Sequence, residues 1–159
     1  MDYNKIRLTS YIPIYEKYFE MLKNEKSITD FVSFFKHDSR LIFYDNDFVG
    51  FYKTMYRDDD LLDREIYIGL IEKYRGKGIA KYVINLLTSN IFYNDPNCEF
   101  IHLSIDKDNI SSIRLAHSCG FVENEELEKE LKENNDNRTL VFSIQNQFYK
   151  EEKKNNMTL

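Results

Sequence analysis

The sequence predicts an α/β (or α+β) domain organised around one mixed sheet, and three observations lead there. Segments rich in Val, Ile, Phe and Tyr alternate with segments of helical hydrophobic period, in the order β-α-α-β-β-β-α-β-α-β. With 42% hydrophobic residues among 159, the chain has the size and apolar content of one ordinary domain with a real core. Neither an internal repeat nor an inter-domain linker interrupts it, so a single domain is expected over residues 1–148, followed by a polar, disordered tail over 149–159.

Lys5 to Leu8 reads as a short first strand. Thr9 or Ser10 is placed to cap a helix whose permissive first turn holds Pro13, and Ile14, Tyr15, Tyr18, Phe19 and Leu22 recur at helical spacing. A second helix is expected from Ser27, which has capping-box spacing with Asp30 ahead of the apolar face Ile28, Phe31, Val32 and Phe35. Leu41 to Tyr44 and Phe48 to Tyr56, joined by Asp45-Asn46-Asp47, form an antiparallel hairpin. After the acidic turn Asp58-Asp59-Asp60, Arg64 to Ile71 make the next strand, and Ile79 to Ile91 follow with helical period. Glu99 to Ile105 is a strand, and Ser111 to Cys119 a short helix closed by Gly120 at the position of a left-handed cap. Glu123 to Asn137, acidic and then polar, is expected as a mobile helix or loop before a last strand, Thr139 to Ile144.

Charge and composition exclude several classes. A formal net charge of −5 argues against a nucleic-acid partner held by phosphate neutralisation, and favours cationic partners weakly. The chain lacks a run of about eighteen apolar residues, so no membrane partner is expected. Its start, MDYNKIRL, lacks the apolar segment of a secretory signal, which makes a soluble, cytoplasmic protein the expectation. Cys98 and Cys119 have no metal-like spacing and read as reduced thiols, and no metal site is expected. Tyr and Phe are scattered along the whole chain, as core packing requires, rather than grouped as base-stacking platforms.

The stretch YRGKGIAKYVINLLTSN, residues 74–90, carries the chemistry. It places two of the chain's five glycines, Gly76 and Gly78, between a strand and a helix, flanked by Arg75 and Lys77. A helix N-terminus offers unpaired N–H groups and the positive end of the macrodipole. Glycines that accept positive φ let those amides turn inward as a nest, and they leave room for a close ligand. Such a mouth suits a diphosphate. The segment lacks the Gly-Lys-Ser/Thr ending of a P-loop and the third glycine of the dinucleotide fingerprint.

Arg75-Gly76-Lys77-Gly78-Ile79-Ala80 resembles the Arg/Gln-x-x-Gly-x-Gly/Ala signature of the GCN5-related N-acetyltransferase (GNAT) superfamily. Glu65-Ile66-Tyr67-Ile68-Gly69-Leu70-Ile71 resembles the family's central strand, and Asp108 to Ala116 with Gly120-Phe121 its second conserved segment, so the likeness runs from about Arg40 to Phe121. The resemblance implies a GNAT-type fold: a twisted, mostly antiparallel mixed sheet of about six or seven strands with about four helices, splayed between the fourth and fifth strands. It also implies acetyl-CoA as cofactor, its diphosphate on Arg75, Gly76, Lys77, Gly78, Ile79 and Ala80, and its pantetheine arm paired like an added strand with Leu70 and Ile71. Gly69 would mark a bulge there or simply pack closely. Asn109 matches the family's polar contact to pantetheine, and is equally a residue type common at helix caps.

Acetyl transfer to an amine needs a neutral nucleophile, stabilisation of the developing oxyanion and a tolerable leaving group. Glu65, one strand length before the glycines, is the candidate base; the competing reading is an exposed edge residue paired with Arg64 or Lys53. A backbone N–H near Leu70 or Ile71 would serve the oxyanion. Many relatives protonate the departing sulfur with a tyrosine where this chain has Leu115-Ala116, so Ser112, on the preceding turn, becomes the candidate acid. His117 suits a surface or capping role, and His102 a satisfied structural one. Cys119 reads as a small buried hydrophobe.

The implied activity is an acetyl-CoA-dependent N-acetyltransferase acting by direct attack in a ternary complex on a primary amine of a small molecule or peptide. Asp58, Asp59, Asp60 and Asp63 would attract a cationic acceptor, or form an ordinary solvated turn. The missing tyrosine also admits an acyl-CoA-binding sensor with weak turnover, and the helix mouth alone admits a plain nucleotide-phosphate binder. A homodimer is compatible with all of these.

Overall fold

The structure, a computed structural model, describes residues 1–22, 39–57 and 62–149. The second helix expected from Ser27, the turn at Asp58, Asp59 and Asp60, and most of the expected tail lie outside the described residues. The strands are β1 (Ile6–Ser10), β2 (Arg40–Tyr44), β3 (Asp47–Tyr56), β4 (Arg64–Leu70), β5 (Phe100–Asp106), β6 (Val122–Glu123) and β7 (Thr139–Gln145). The α-helices among the described residues are α1 (Glu16–Leu22), α2 (Ile79–Asn94), α3 (Ile110–Ser118) and α4 (Glu125–Glu133). Hydrogen bonding orders the strands β1-β2-β3-β4-β5-β7-β6, a seven-stranded mixed sheet in which β4 and β5 run parallel.

The chain divides into two compact units, Met1–Thr54 with Ile66–Ile84, and Met55–Glu65 with Asn85–Leu159. In the first, the hairpin β2–β3 closes through Asp45 and Asn46, both at positive φ (51° and 70°), with Tyr44 opposite Asp47. Two successive left-handed residues make the turn whose twist matches a hairpin, and Asp and Asn are the non-glycine types that tolerate it. Phe19, Leu22, Leu41, Phe43, Phe48 and Phe51 form the core of this unit, with Tyr11, Tyr15, Tyr18 and Ile71 packed against it.

The entry to α1 corrects one expectation. Thr9 and Ser10 do not cap a helix: they are the last residues of β1, opposite Leu41 and Arg40 of β2. Pro13 instead opens a 3₁₀ turn, Pro13–Tyr15, whose N-cap Ile12 makes no side-chain bond. Pairing with β2 keeps both residues in extended conformation and outweighs their local capping preference.

In the second unit, β5 pairs antiparallel with β7 along its whole length, from Phe100↔Gln145 to Asp106↔Thr139. The acidic stretch after Gly120 forms more structure than expected. Val122 and Glu123 pair with Ser143 and Phe142 as β6, and Asn124 caps α4 by accepting the Leu127 N–H at 3.2 Å. Three glutamates in the first turn complement the helix dipole there. Glu128 is buried, with Oε1 accepting the Val141 N–H of β7 at 3.2 Å. Gly120 takes the expected left-handed cap conformation, with φ 86°.

Among the described residues no helix is long and apolar enough to cross a membrane.

Candidate active site

The glycine-rich mouth of α2 lies in the first unit. Gly76 and Gly78 both adopt positive φ, 71° and 82°, as the nest requires. The first backbone bond of α2 runs from the Tyr82 N–H to the Gly78 carbonyl at 3.0 Å, so the amides of Ile79, Ala80 and Lys81 have no carbonyl of their own helix to meet. A Cβ built on Gly76 would meet nothing within 4 Å, and one on Gly78 would meet only the Tyr3 hydroxyl at 3.6 Å. The cradle is therefore open to a ligand and lined by exposed Arg75 and Lys77. These features fit a diphosphate.

The loop is held from both ends. Tyr74 is buried, and its hydroxyl donates to Asp47 Oδ2 at 2.8 Å, anchoring the segment to the β2–β3 turn. The ammonium groups of Lys73 and Lys77 lie over its ring, at 4.7 and 5.2 Å from the centroid. Arg75 Nε donates to the Leu70 carbonyl at 2.9 Å, tying the loop back to the end of β4. Sequence reading missed Tyr3, whose ring stacks on Tyr82 with centroids 4.7 Å apart and planes 6° from parallel. Nothing local in MDYNKIRL signals that contact.

At the end of β4 the structure separates Leu70 from Ile71. The Ile71 N–H donates to the Val49 carbonyl of β3 at 2.9 Å, and the Ile71 carbonyl accepts from the Tyr74 N–H at 2.9 Å. The Ile71 N–H is thus spent on β3, and its carbonyl keeps only its second lone pair for any further donor. Neighbouring residues of a strand aim their backbone groups to opposite sides. Ile68 and Leu70 thus present theirs on the side of β4 turned away from β3. The Leu70 carbonyl is engaged by Arg75, and its N–H is the donor on that side.

Glu65 belongs to the second unit. It is only 6% exposed, so the reading of an exposed edge residue does not hold. The ion pair it makes among the described residues is with Arg57, with Nη1 at 3.4 Å from Oε2. Arg64 instead binds Asp95 at 2.8 Å and the Tyr56 hydroxyl at 2.7 Å, its guanidinium stacked on the Tyr56 ring. Glu65 Oε1 is buried and has no hydrogen-bond partner among the described residues. A buried acceptor left so costs about 1–3 kcal/mol, more when charged. Such a deficit is a common mark of a site built for a ligand.

Around Glu65 the sheet is short of pairs. β4 and β5 pair only at Arg64↔Ile101 and Glu65↔His102, the region where the GNAT resemblance implies a splay. His102, 2% exposed, is the satisfied structural histidine expected: Nδ1 lies 2.7 Å from Ser143 Oγ, and Nε2 lies 3.3 Å from Asp63 Oδ2. The order Ser143-His102-Asp63 has the form of a hydrolytic triad, but Ser143 Oγ is buried and also accepts from Asn124 Nδ2 at 3.0 Å, so it is packing rather than nucleophile. Burial pushes the Asp63 carboxyl up. The bonds from His102 and the Phe100 N–H, together with the charges of His102 and Arg57, outweigh that and hold it below the usual range. Asp63 is thus committed within the fold, not offered to an acceptor.

Asn109 and Ser112 are also in the second unit. Asn109 is the N-cap of α3, its Oδ1 accepting from the Ser112 N–H at 3.2 Å and the Ser111 hydroxyl at 3.0 Å. The cap occupies Oδ1, so Nδ2 is the atom a ligand contact would use. The turn before it is fixed by Arg138, which binds Asp106 at 3.0 Å and Asp108 at 2.9 Å. Ser112 is half-buried on the first turn of α3, and Ala116, at the usual tyrosine position, is fully buried. His117 is exposed with its ring edge-on to Phe142.

Neither cysteine forms a disulfide. Burial, helped by the Asp63 and Asp95 charges, pushes the Cys98 thiol up to about 12. At pH 8 its thiolate fraction is then about 10⁻⁴, so an iodoacetamide footprint is expected to leave Cys98 unlabelled in native protein and to label it in denaturant. Among the described residues no three His, Cys, Asp or Glu side chains gather as a metal site.

A family model described as Acetyltransferase (GNAT) family matches residues 8–121. The chain belongs to the GNAT family. This GNAT chain is 33% identical, over 97 residues, to the spermine/spermidine N(1)-acetyltransferase of Bacillus subtilis (strain 168). The aligned stretch covers 55% of this chain and 60% of that protein, so the chain spans less than two thirds of that relative's length. Its fold is also that of a Vibrio cholerae spermidine N-acetyltransferase solved as a dodecamer in an intermediate state, with a TM-score of 0.65 at 17% identity over 95% of this chain and 99% of that one. A crystal structure described as "Probable acetyltransferase" matches with a TM-score of 0.69 at 13% identity, over 89% of this GNAT chain and 93% of its own.

Proposed function

We propose that this GNAT chain is an acetyl-CoA-dependent N-acetyltransferase whose acceptor is the primary amine of a small cationic molecule of the polyamine class. The observation that carries the reading is the pair of left-handed glycines, Gly76 and Gly78, turned at the open N-terminus of α2. The amides of Gly76 to Ala80, with Arg75 and Lys77, would hold the diphosphate. Ile68 would pair with the pantetheine arm, leaving the Leu70 N–H for the acetyl end, with Asn109 Nδ2 as a further polar contact. Bound there, acetyl-CoA supplies a thioester carbonyl and a thiolate that leaves readily.

The chain's own residues supply the rest. Glu65 Oε1 takes a proton from the acceptor ammonium, directly or through water, making the neutral nucleophile for direct attack in the ternary complex. The Leu70 N–H stabilises charge developing on the carbonyl oxygen. The Ser112 hydroxyl hydrogen-bonds the departing sulfur, in the role the buried Ala116 cannot fill. Support for a polyamine acceptor comes from the 33% identity to a spermine/spermidine N(1)-acetyltransferase and from the net charge of −5, which favours a polycation.

Thermal melting tests the carrying observation. Acetyl-CoA at 100 times its Kd is expected to stabilise the protein by about 2.7 kcal/mol, a rise of ~5–10 °C for a chain of this size, and ATP at the same concentration to give less than a quarter of it. Gly78→Asp, which sets a carboxylate among the diphosphate amides, is expected to abolish the rise while the ligand-free melting temperature moves by a few degrees at most. An acetyl-CoA shift undiminished in that variant sinks the site.

A further inference from the structure

We propose that Arg57 is the positioning residue of the reaction, clamping one oxygen of Glu65 so that the other is presented to the acceptor amine; this rests on the reading of Glu65 as the base. The argument begins with the charge. A carboxylate that is 6% exposed does not persist without a partner, and Arg57 is the cation within ion-pair distance of it among the described residues. Three charged or titratable neighbours among the described residues are committed elsewhere. Arg64 is turned to Asp95 and Tyr56, Asp63 takes the Phe100 N–H and His102, and His102, opposite Glu65 on β5, has both ring nitrogens engaged.

The grip of Arg57 is one-sided. Nη1 reaches Oε2 alone, at 3.4 Å, and Oε1 stays buried without a hydrogen-bond partner among the described residues. A guanidinium more often meets a carboxylate with two parallel bonds, which would fill both oxygens. Here it fixes the carboxylate's rotation and leaves one acceptor in a nearly dry setting, where an N–H or a proton from an amine completes the set. The Arg57 backbone is itself pinned by its N–H to the Asp63 carbonyl at 3.0 Å, and its side chain is 13% exposed, so the clamp has little freedom to swing away.

A double-mutant cycle on the full chain, with acetyl-CoA and spermidine as substrates, tests this. Arg57→Gln keeps side-chain length and a donor without the charge. It is expected to lower kcat by about 10–100-fold with the KM for acetyl-CoA changed by less than about twofold, and Arg57→Lys to recover most of the loss. In the Glu65→Gln background the same Arg57→Gln change is expected to cost less than about twofold, because the group it orients is gone. An equal fold-loss in both backgrounds, with Glu65→Gln itself slow, overturns the role of Arg57 and leaves Glu65 as base. Parental turnover in Glu65→Gln alone overturns both. Arg57→Lys keeps the test decisive if the uncharged variant fails to fold: turnover as low as that of Glu65→Gln would overturn the clamp as a matter of charge.

Discussion

Replacing Glu65 with glutamine is expected to lower kcat for spermidine acetylation by about 10²–10⁴-fold, the range general-base catalysis commonly supplies, while the acetyl-CoA melting shift stays intact. Glutamine has the shape of glutamate and can still accept a bond from Arg57, so the packing around the β4–β5 pair changes little. The proton acceptor is lost. An aliphatic amine with a pKa near 10.4 is neutral in only about one molecule in 10³ at pH 7, so without a base the nucleophile is scarce. The orphaned Oε1 argues for this role over a structural one, since a purely structural ion pair would fill both oxygens of so deeply buried a carboxylate. Turnover within twofold of the parent would remove Glu65 from the mechanism and leave the buried acceptor without an explanation.

What the sequence shows about this molecule, and what it hides, divides by distance along the chain. The β2–β3 turn and the mouth of α2 are legible because their cause is local: Asp45, Asn46, Gly76 and Gly78 are residue types that take positive φ, and each sits between segments of clear period. The cap expected at Thr9 and Ser10 fails because pairing with Leu41 and Arg40, some thirty residues on, claims their backbone first. α4 reads in the sequence as a mobile helix or loop, and what holds it is Glu128 folded under β7, a contact that no local pattern encodes. The candidate site follows the same rule. Its glycines are visible, but the partner of Glu65 is set by how the segment around Arg57 closes on β4, and the obvious neighbour Arg64 turns the other way. The separation of Leu70 from Ile71 likewise depends on Val49, a residue of another strand.

Gly50 is where a single added methyl group is expected to do most harm to stability. It lies on β3 opposite Ile42, and a Cβ there would overlap the Gly69 carbonyl oxygen of β4, with Leu70 Cδ2 at 2.8 Å and Leu70 Cα at 3.0 Å. Alanine in place of glycine ordinarily stabilises by about 0.4–1 kcal/mol through the unfolded chain, so the sign is decided by whether the neighbour can move. A side-chain tip could swing aside, but a strand carbonyl cannot turn without breaking its ladder. The strands would have to part beside the bond from the Ile71 N–H to Val49, adding the loss of about 1 kcal/mol for that bond to the 1–3 kcal/mol typical of overpacking. Gly50→Ala is therefore expected to destabilise by about 3 kcal/mol, lowering Tm by ~6–12 °C in a chain of this length. The same displacement would carry Leu70 and its N–H with it, so in variant protein that still folds, acetyl transfer should fall by more than the folded fraction does. Urea melting and turnover on the same preparations read both effects. A variant as stable as the parent would mean that β3 and β4 do not need the close backbone approach that the position of Gly50 implies.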